Sequence, residues 1–293
     1  MKNFCSISDV NFYHKISALN QSLLKYNSDY KLHLLCIDDQ IYNKMLYKKN
    51  VICYRLTDLL KKDKIFSQSQ NNPPSREAII NAQGNRTKAE RLQFIWTLSP
   101  YFTWWCLENL EIDDLLYIDS DIYFFADYNK LYKHLEDCSV AVVEHRCPYN
   151  PDNGEYNVGI VYFKNDYDGY RCCTWWKNCL LLTNHEFYVS HGTCGDQKYL
   201  ELFPKLFAKV KVLDPFIGHL APWNFLYHSY EGDKIIWKNQ KQELLYCHFS
   251  NFKTLDEGGY SLAPRHGLST PPNNFVKKIA DEYYNCLMET KND

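Results

Sequence analysis

No run of about 18 apolar residues exists in the chain, which excludes a transmembrane helix. The most apolar stretch, Leu115 to Ala126, is broken by Asp119 and Asp121. Met1-Lys2-Asn3 leads into a short apolar segment interrupted by Asp9, without a signal-peptide core or a small-residue cleavage site. An excess of one charge is missing too. The 33 Lys+Arg face 35 Asp+Glu, a net charge of -2, so the basic surplus of a nucleic-acid binder is absent. The 12 cysteines form no C-x-x-C and one vicinal pair, Cys172-Cys173, and without an export signal they read as buried free thiols in a reducing compartment. The N-x-S/T matches at Asn20 and Asn85 then carry no glycan. No internal repeat is present. What remains is 293 residues, 45% hydrophobic and 23% charged, the composition of a globular protein with room for one large α/β domain or two modest ones.

Strands alternate with helices through the first half. Phe4 to Ser8, Lys31 to Ile37 and Val51 to Leu56 read as strands, and Ile16, Leu19, Leu23 and Leu24 fall at helical spacing between Asn11 and Tyr26. Such alternation predicts a parallel, doubly wound sheet. Lys62 to Asn85 breaks the pattern with a polar, Pro-containing loop at 68–75. A helix is expected from Arg86 to Leu98, and Ser99-Pro100 supplies a cap and first-turn proline for another reaching Asn109. Leu115 to Ile118 is a continuous apolar run, as in a strand buried on both faces. Strands at Ser139 to Val143, Val158 to Phe163 and Leu244 to Phe249 follow, with helices at Asp166 to Leu182, Asp196 to Phe203 and Asn274 to Glu289.

The first chemical signal is Asp119-Ser120-Asp121 at the end of the apolar run. Two carboxylates one residue apart can converge on a hard divalent cation, Mn²⁺ or Mg²⁺, that also holds phosphate oxygens. Burying both without a cation would cost several kcal/mol. A second D-x-D, Asp166 to Asp168, sits beside Gly169 in a polar stretch and reads as a solvated turn. His248 ends a late apolar strand and offers either an imidazole ligand or a core histidine. Gly192 to Gln197 is a turn followed by a helix start, in which Asp196 is a cap or a site acid. In Gly154 to Gly159, glycine lets a ligand approach and Asn157 offers both donor and acceptor. Arg86, Lys88 and Arg91 form a basic set, the last two on one helix face, with pairing to Glu90 as the alternative.

In order, these pieces resemble a GT-A nucleotide-sugar glycosyltransferase, closest to the glycogenin and bacterial lipooligosaccharide galactosyltransferase family. They also resemble a bacterial group bearing Y-x-D-x-D-x-Y-F-F, E-H-R, Y-N-V-G, G-D-Q-K-Y-L and A-P-W-N blocks, over residues 5 to about 253. The resemblance implies an α/β fold: one GT-A, Rossmann-like domain with a mostly parallel sheet and helices on both faces over 1–270, then a C-terminal helix in 271–293. It implies metal binding by Asp119, Asp121 and His248, and donor contacts from Ser8, Asp9, Phe12, Lys88, Arg91, Asn157, Gly159, Trp223, Asn224 and Lys253. Asp196 and Gln197 would stand near the anomeric carbon. Phe12 replaces the usual tyrosine, which keeps a stacking face and removes a hydroxyl. The family's H-x-x-G-x-x-K is altered to Asn251 and Thr254, with Lys253 one place early.

The expected reaction is metal-dependent sugar transfer from a nucleoside diphosphate, UDP or GDP in type, to a hydroxyl of a glycan or glycolipid, such as a surface-polysaccharide or lipopolysaccharide precursor. The expected location is cytoplasmic, including the inner face of a membrane. An inverting enzyme would use Asp196 as base, with Glu144 behind it; a retaining one would leave that proton to the departing phosphate. The aromatic-rich residues 145–155 and 219–243 would shape the acceptor side. Competing readings are a binding protein of the same fold without catalysis, an aspartate-nucleophile phosphatase and a sugar-nucleotide synthesising enzyme. The phosphatase motif would open the domain, whereas 118 residues precede Asp119 here; the synthesising enzyme would carry a glycine-rich basic loop, which Phe4 to Val10 lacks.

Overall fold

The computed structural model describes residues 1–74, 76–150, 153–181, 195–214 and 216–291. Gly192, Thr193 and Cys194 of the expected turn lie outside the described residues, as does Leu182. The main sheet has seven strands in the order β3-β2-β1-β4-β7-β6-β8: β1 (Lys2–Ser8), β2 (Tyr30–Cys36), β3 (Val51–Arg55), β4 (Asp114–Ile118), β6 (Val140–Glu144), β7 (Tyr156–Lys164) and β8 (Val210–Val212). Pairings are parallel except at β7, which runs antiparallel to both β4 and β6.

The apolar run at β4 divides between two cores, because successive side chains leave a strand on opposite faces. Leu116 and Ile118 join Ile16, Leu19 and Leu23 of α1 (Tyr13–Tyr26) and Ile41 of α2 (Asp39–Met45). Leu115 and Tyr117 join Phe102 of α6 (Arg86–Asn109) and Trp176 of α8 (Tyr167–Leu181). Burying each such large apolar side chain stabilises the fold by about 1.5–3 kcal/mol. Helices therefore cover both faces of a mixed, mostly parallel sheet.

Three expectations need correction. The predicted break at Ser99-Pro100 is absent: α6 is one helix through Pro100, capped by Asn85, whose Oδ1 accepts from the Lys88 amide at 2.9 Å. Residues 97–103 are buried throughout, and this packing outweighs the hydrogen bond that the proline removes. The segment read as a loop between Lys62 and Asn85 contains α4 (Lys64–Ser69) and α5 (Arg76–Asn81), following α3 (Leu56–Lys62). Asp63 starts α4 by accepting from the Phe66 amide at 3.0 Å. The helix expected from Asp196 is a 3₁₀ turn, Lys198–Leu202, and Asp196 does not cap it.

A second sheet, β10 (Ser229–Glu231), β11 (Lys234–Trp237), β12 (Gln240–His248) and β5 (Ile122–Phe124), stands beside the first; β9 (Gly218–Leu220) pairs with β12, and α7 (Asn129–Tyr132) is a single turn. The short strand pair β13 (Lys253–Thr254) and β14 (Tyr260–Ser261) follows it. The C-terminal helix, Asn274–Lys291, lies against α1, with Tyr283 stacked on Phe249 at 4.1 Å. The eleven described cysteines carry free thiols, nine of them buried. Asn20 is also buried, its amide donating to the Lys49 carbonyl. Among the described residues no helix is long and apolar enough to cross a membrane.

Candidate functional site

Strand pairing builds the site. β12 runs antiparallel to β5 with His248 opposite Ile122, which brings the imidazole beside Asp121 from 127 residues away in sequence. The Phe249 amide donates to the Asp121 carbonyl at 2.8 Å, and the Asp119 amide donates to the Gly159 carbonyl at 2.9 Å. The Asp119-Ser120-Asp121 turn is thus pinned to one sheet at each end. Ser120 fastens it underneath, donating to the Ile7 carbonyl and lying 3.3 Å from the Ser6 hydroxyl. The turn sits at the carboxyl ends of β1 and β4, where open α/β sheets place ligands.

His248 Nε2 lies 3.0 Å from Asp121 Oδ1 and 3.6 Å from Asp119 Oδ2. Donor atoms of the three residues all fall within 4.8 Å of one another. Behind the ring, Asn157 Oδ1 is 3.3 Å from His248 Nδ1 and is held by the Gly159 amide at 2.8 Å. An acceptor at Nδ1 favours the tautomer with its proton there, which lets Nε2 turn a lone pair toward a cation held by the two carboxylates. A lone pair and two anions repel unless a cation or a proton lies between them. Two carboxylates and one imidazole are a donor set that could hold a divalent cation. Gly159 is required by this packing: a Cβ there would stand 2.5 Å from His248 Nδ1 and 2.6 Å from Asn157 Oδ1.

The charges are arranged unevenly. Burial pushes the Asp121 carboxyl up, but Lys15 and His248 overcome it and hold the group below the ordinary carboxylate range. Lys15 Nζ donates to Asp121 Oδ2 at 3.3 Å and lies 4.7 Å from the Phe12 ring centre. Burial raises the Asp119 carboxyl, and neighbouring Asp121 adds to the effect despite His248. The Tyr117 hydroxyl donates to Asp119 Oδ1 at 2.7 Å. His248 is lifted above its usual value because Asp121 outweighs burial. Asp196, 5% exposed, is pushed up to about 7 by burial and by the charge of Asp119. Its side chain is hydrogen-bonded to Ser99, and its carbonyl accepts from Trp176 Nε1 at 2.9 Å.

These groups surround a cavity of about 410 Å³, lined by Ser8, Asp9, Phe12, Asp119, Asp121, Asn157, Asp196, Gln197, Trp223 and His248 among others. Asp9 accepts from the Asn11 and Phe12 amides and so shapes the turn that presents Phe12, which is 40% exposed. Gln197 spends its amide on protein, accepting from Asn157 Nδ2 at 3.1 Å and donating to the Asn153 carbonyl at 2.9 Å. Trp223 sets its ring edge-on to His248 at 5.3 Å.

Other predicted residues stand outside the lining. Gly159 lies behind His248 and makes room for it. Asn224 is fully buried and ties the Ala221 amide to the His145 carbonyl. Lys253 is exposed on β13. Lys88 and Arg91 are exposed on the cavity-facing side of α6, but one or more turns before Ile95, where that helix begins to line the cavity. Arg86 pairs with Glu90 at 3.1 Å. Glu144 is outside this lining and pairs with Lys238 at 3.6 Å, away from Asp196. The second D-x-D is structural: Asp166 accepts from Ser139 and from the Gly169 amide at the start of α8.

Sequence reading missed Lys15, Trp96, Ser99, Tyr117 and Trp176. Two had a signal: Lys15 follows Phe12 by one helical turn, and Ser99 falls two turns beyond Arg91 on one face. Trp96 packs so closely on Gly195 that a Cβ there would be 2.7 Å from the ring.

No family model matches the chain. It is 25% identical over 264 residues to the uncharacterized protein YfnF of Bacillus subtilis strain 168, covering 85% of this chain and 81% of that one. Against YfnD of the same strain it is 24% identical over 270 residues, with coverage of 89% and 81%. Among solved structures it resembles the galactosyltransferase LgtC in complex with donor and acceptor sugar analogs, at TM-score 0.55 and 13% identity over 98% of this chain and 95% of that one. Mouse xyloside xylosyltransferase 1 gives 0.54 at 14% identity, covering 85% and 97%. The glycosyltransferase GlyE of Streptococcus pneumoniae TIGR4 gives 0.53 at 17%, covering 98% of this chain and 62% of that one. The chain has the GT-A fold that these structures share.

Proposed function

We propose that this protein is a glycosyltransferase that moves a sugar from a nucleoside diphosphate, UDP or GDP in type, to a hydroxyl of a glycan or glycolipid, such as a surface-polysaccharide or lipopolysaccharide precursor, with a divalent cation bound. The observation that carries the proposal is the meeting of Asp119, Asp121 and the Nε2 of His248 in a cleft at the carboxyl end of the sheet. Mn²⁺ or Mg²⁺ bound there would stabilise negative charge on the departing diphosphate. Asp119, Asp121 and His248 would hold the ion, fixed by Tyr117, Lys15 and Asn157 in turn. Lys15 adds the nearest permanent positive charge, where the C-terminal lysine of the resembling family is displaced. Phe12 offers its exposed face to the nucleotide base. Asp196, buried in the wall of the cavity with its carboxyl pushed up by burial and by Asp119, would stand by the donor sugar and could exchange a proton there.

The C-terminal helix, resting on α1, would close the transferase unit of residues 1–270. The protein would work in the cytoplasm, including the inner face of a membrane. Incubation with UDP- and GDP-sugars and Mn²⁺ should give donor hydrolysis that EDTA stops. Asp121→Ala should abolish turnover and keep the fold; full activity of that variant in EDTA would reject the proposal.

A further inference from the structure

We infer that the buried Arg146–Asp214 pair is a positioning device for the candidate site: it aims the carbonyl of His145 at Trp223 and, through that ring, holds the proposed metal ligand His248 in place. The inference rests on the transferase reading above, which leaves the arginine of the Glu144-His145-Arg146 block without a role.

Arg146 has a backbone φ of 56°, in the left-handed region that favours glycine. Glycine would sit there more easily, so what the position keeps is the side chain. Its guanidinium is fully enclosed and forks three ways. Nε donates to Asp214 Oδ1, one terminal nitrogen to Gln242 Oε1 at 2.9 Å, and the other to the Ile217 carbonyl at 2.7 Å. Gln242 belongs to β12 and Ile217 precedes β9, so an arginine just beyond β6 joins the main sheet to the second one. Asp214 completes the clamp, accepting from the Glu144 amide at 2.9 Å and standing 3.2 Å from His219 Nε2. A buried ion pair adds little stability over apolar side chains of the same volume; what it adds is direction.

Direction matters because of the residue in between. The His145 amide donates to the Glu155 carbonyl at 3.0 Å, and Arg146 on its other side is clamped. The His145 carbonyl is thereby presented to Trp223 Nε1 at 3.1 Å and Asn224 Nδ2 at 3.0 Å. Trp223 then stands edge-on between two imidazoles, 5.5 Å from the His145 ring and 5.3 Å from that of His248. Asn157 holds His248 at Nδ1, and the indole limits how far the ring can tilt. Such supports set the orientation of a metal-binding imidazole. A slackened guanidinium would let the His145 carbonyl turn, free the indole and allow the imidazole to swing away from Asp121.

The test follows Mn²⁺ binding by electron paramagnetic resonance, each variant being checked by thermal melting in EDTA. Arg146→Lys keeps the charge beside Asp214, but one ammonium cannot reproduce the three-way fork. Trp223→Phe keeps a ring at His248 without the Nε1 donor. Each should weaken Mn²⁺ binding about tenfold. Because both act through one indole, the double variant should bind no more than about threefold less tightly than either single one. A clamp that served the fold alone would lower the melting temperature of Arg146→Lys and leave its Mn²⁺ affinity at the parent value. That result, or losses that multiply to about a hundredfold in the double variant, overturns the inference. Should Arg146→Lys fail to fold, Gln242→Met takes its place, since it removes one acceptor and strands no charge. It should weaken Mn²⁺ binding alone and add nothing beside Trp223→Phe; parent affinity in Gln242→Met overturns the inference equally. A parent that binds no Mn²⁺ overturns it together with the metal site. A parent that binds Mn²⁺ and hydrolyses no donor counts against the transferase reading alone, because the titration needs no turnover.

Discussion

Gly159→Ala gives the sharpest test of the metal centre, because it adds one methyl group and no charge. The new Cβ would stand 2.5 Å from His248 Nδ1 and 2.8 Å from Cε1, where ordinary contact begins at 3.4 Å. The imidazole must therefore retreat by about 0.9 Å, several times the roughly 0.2 Å tolerance of a metal–ligand distance. Asn157 Oδ1, 2.6 Å from the same methyl, would move as well and release the Nδ1 proton it holds. Loss of such a supporting contact weakens metal binding by about 10–100-fold. Overpacking should destabilise the metal-free fold by about 1–3 kcal/mol. Mn²⁺ titration followed by electron paramagnetic resonance, with thermal melts in EDTA, reads both effects. A cycle with His248→Ala adds a control, because that substitution removes the ring atoms in the way. Gly159→Ala should then cost less stability than in the unmutated background. A folded Gly159→Ala protein that binds Mn²⁺ as tightly as its parent would refute the reasoning.

Asp196→Asn should stabilise the metal-free protein at pH 8 and abolish donor hydrolysis. The folded state holds the Asp196 proton up to about pH 7, against 3.8 for an unperturbed carboxyl, so stability is fully present below about pH 4 and falls as pH rises toward 7. The deficit above pH 7 is at most about 4 kcal/mol, and melts from pH 4 to 8 in EDTA should show the variant's advantage growing over that window; parallel curves would sink the assignment. Lys15→Met leaves the largely buried Asp121 carboxylate without its ammonium, at a cost of about 3 kcal/mol in EDTA. Saturating Mn²⁺ should then raise the melting temperature of Lys15→Met more than that of its parent, since the ion takes over the neutralisation; an equal or smaller rise would show that Lys15 does not balance this charge.

Much of the fold was legible because the main strands are short apolar runs between helical periodicities. Leu115 to Ile118 could be placed on a central strand since all four side chains are apolar, and two cores take them alternately. The second sheet was harder. β10 and β11 carry Ser229, Glu231 and Lys234 among their residues, and such polar strands give no strong alternation to read. Pro100 misled for a different reason. A proline after serine is a good local start signal, yet its energetic disadvantage is modest beside the burial of Phe102, Cys106 and Leu107 on the same helix.

The candidate site divides along the same line. Asp119 and Asp121 announce themselves because two charges interrupt an apolar strand, and His248 follows because it ends another. Their supports carry no such signature. Lys15 reaches Asp121 across 106 positions, and Tyr117, whose hydroxyl holds Asp119, occupies what reads as one more core position of β4. Gly159 looked like a ligand-facing glycine, whereas the space it leaves is filled by the imidazole itself. A strand pattern reports which face a residue occupies; it does not report which distant side chain fills the gap there. Those partners are set by the antiparallel register of β12 on β5 and by the packing of α1 and α6 on the sheet. A one-residue slip of β12 would turn His248 to the opposite face and separate it from both carboxylates. The register is held by Leu245 and Tyr246 in one core and Leu244 and Cys247 in another, so the same apolar burial that stabilises the sheet also sets the distance between the carboxylates and the imidazole.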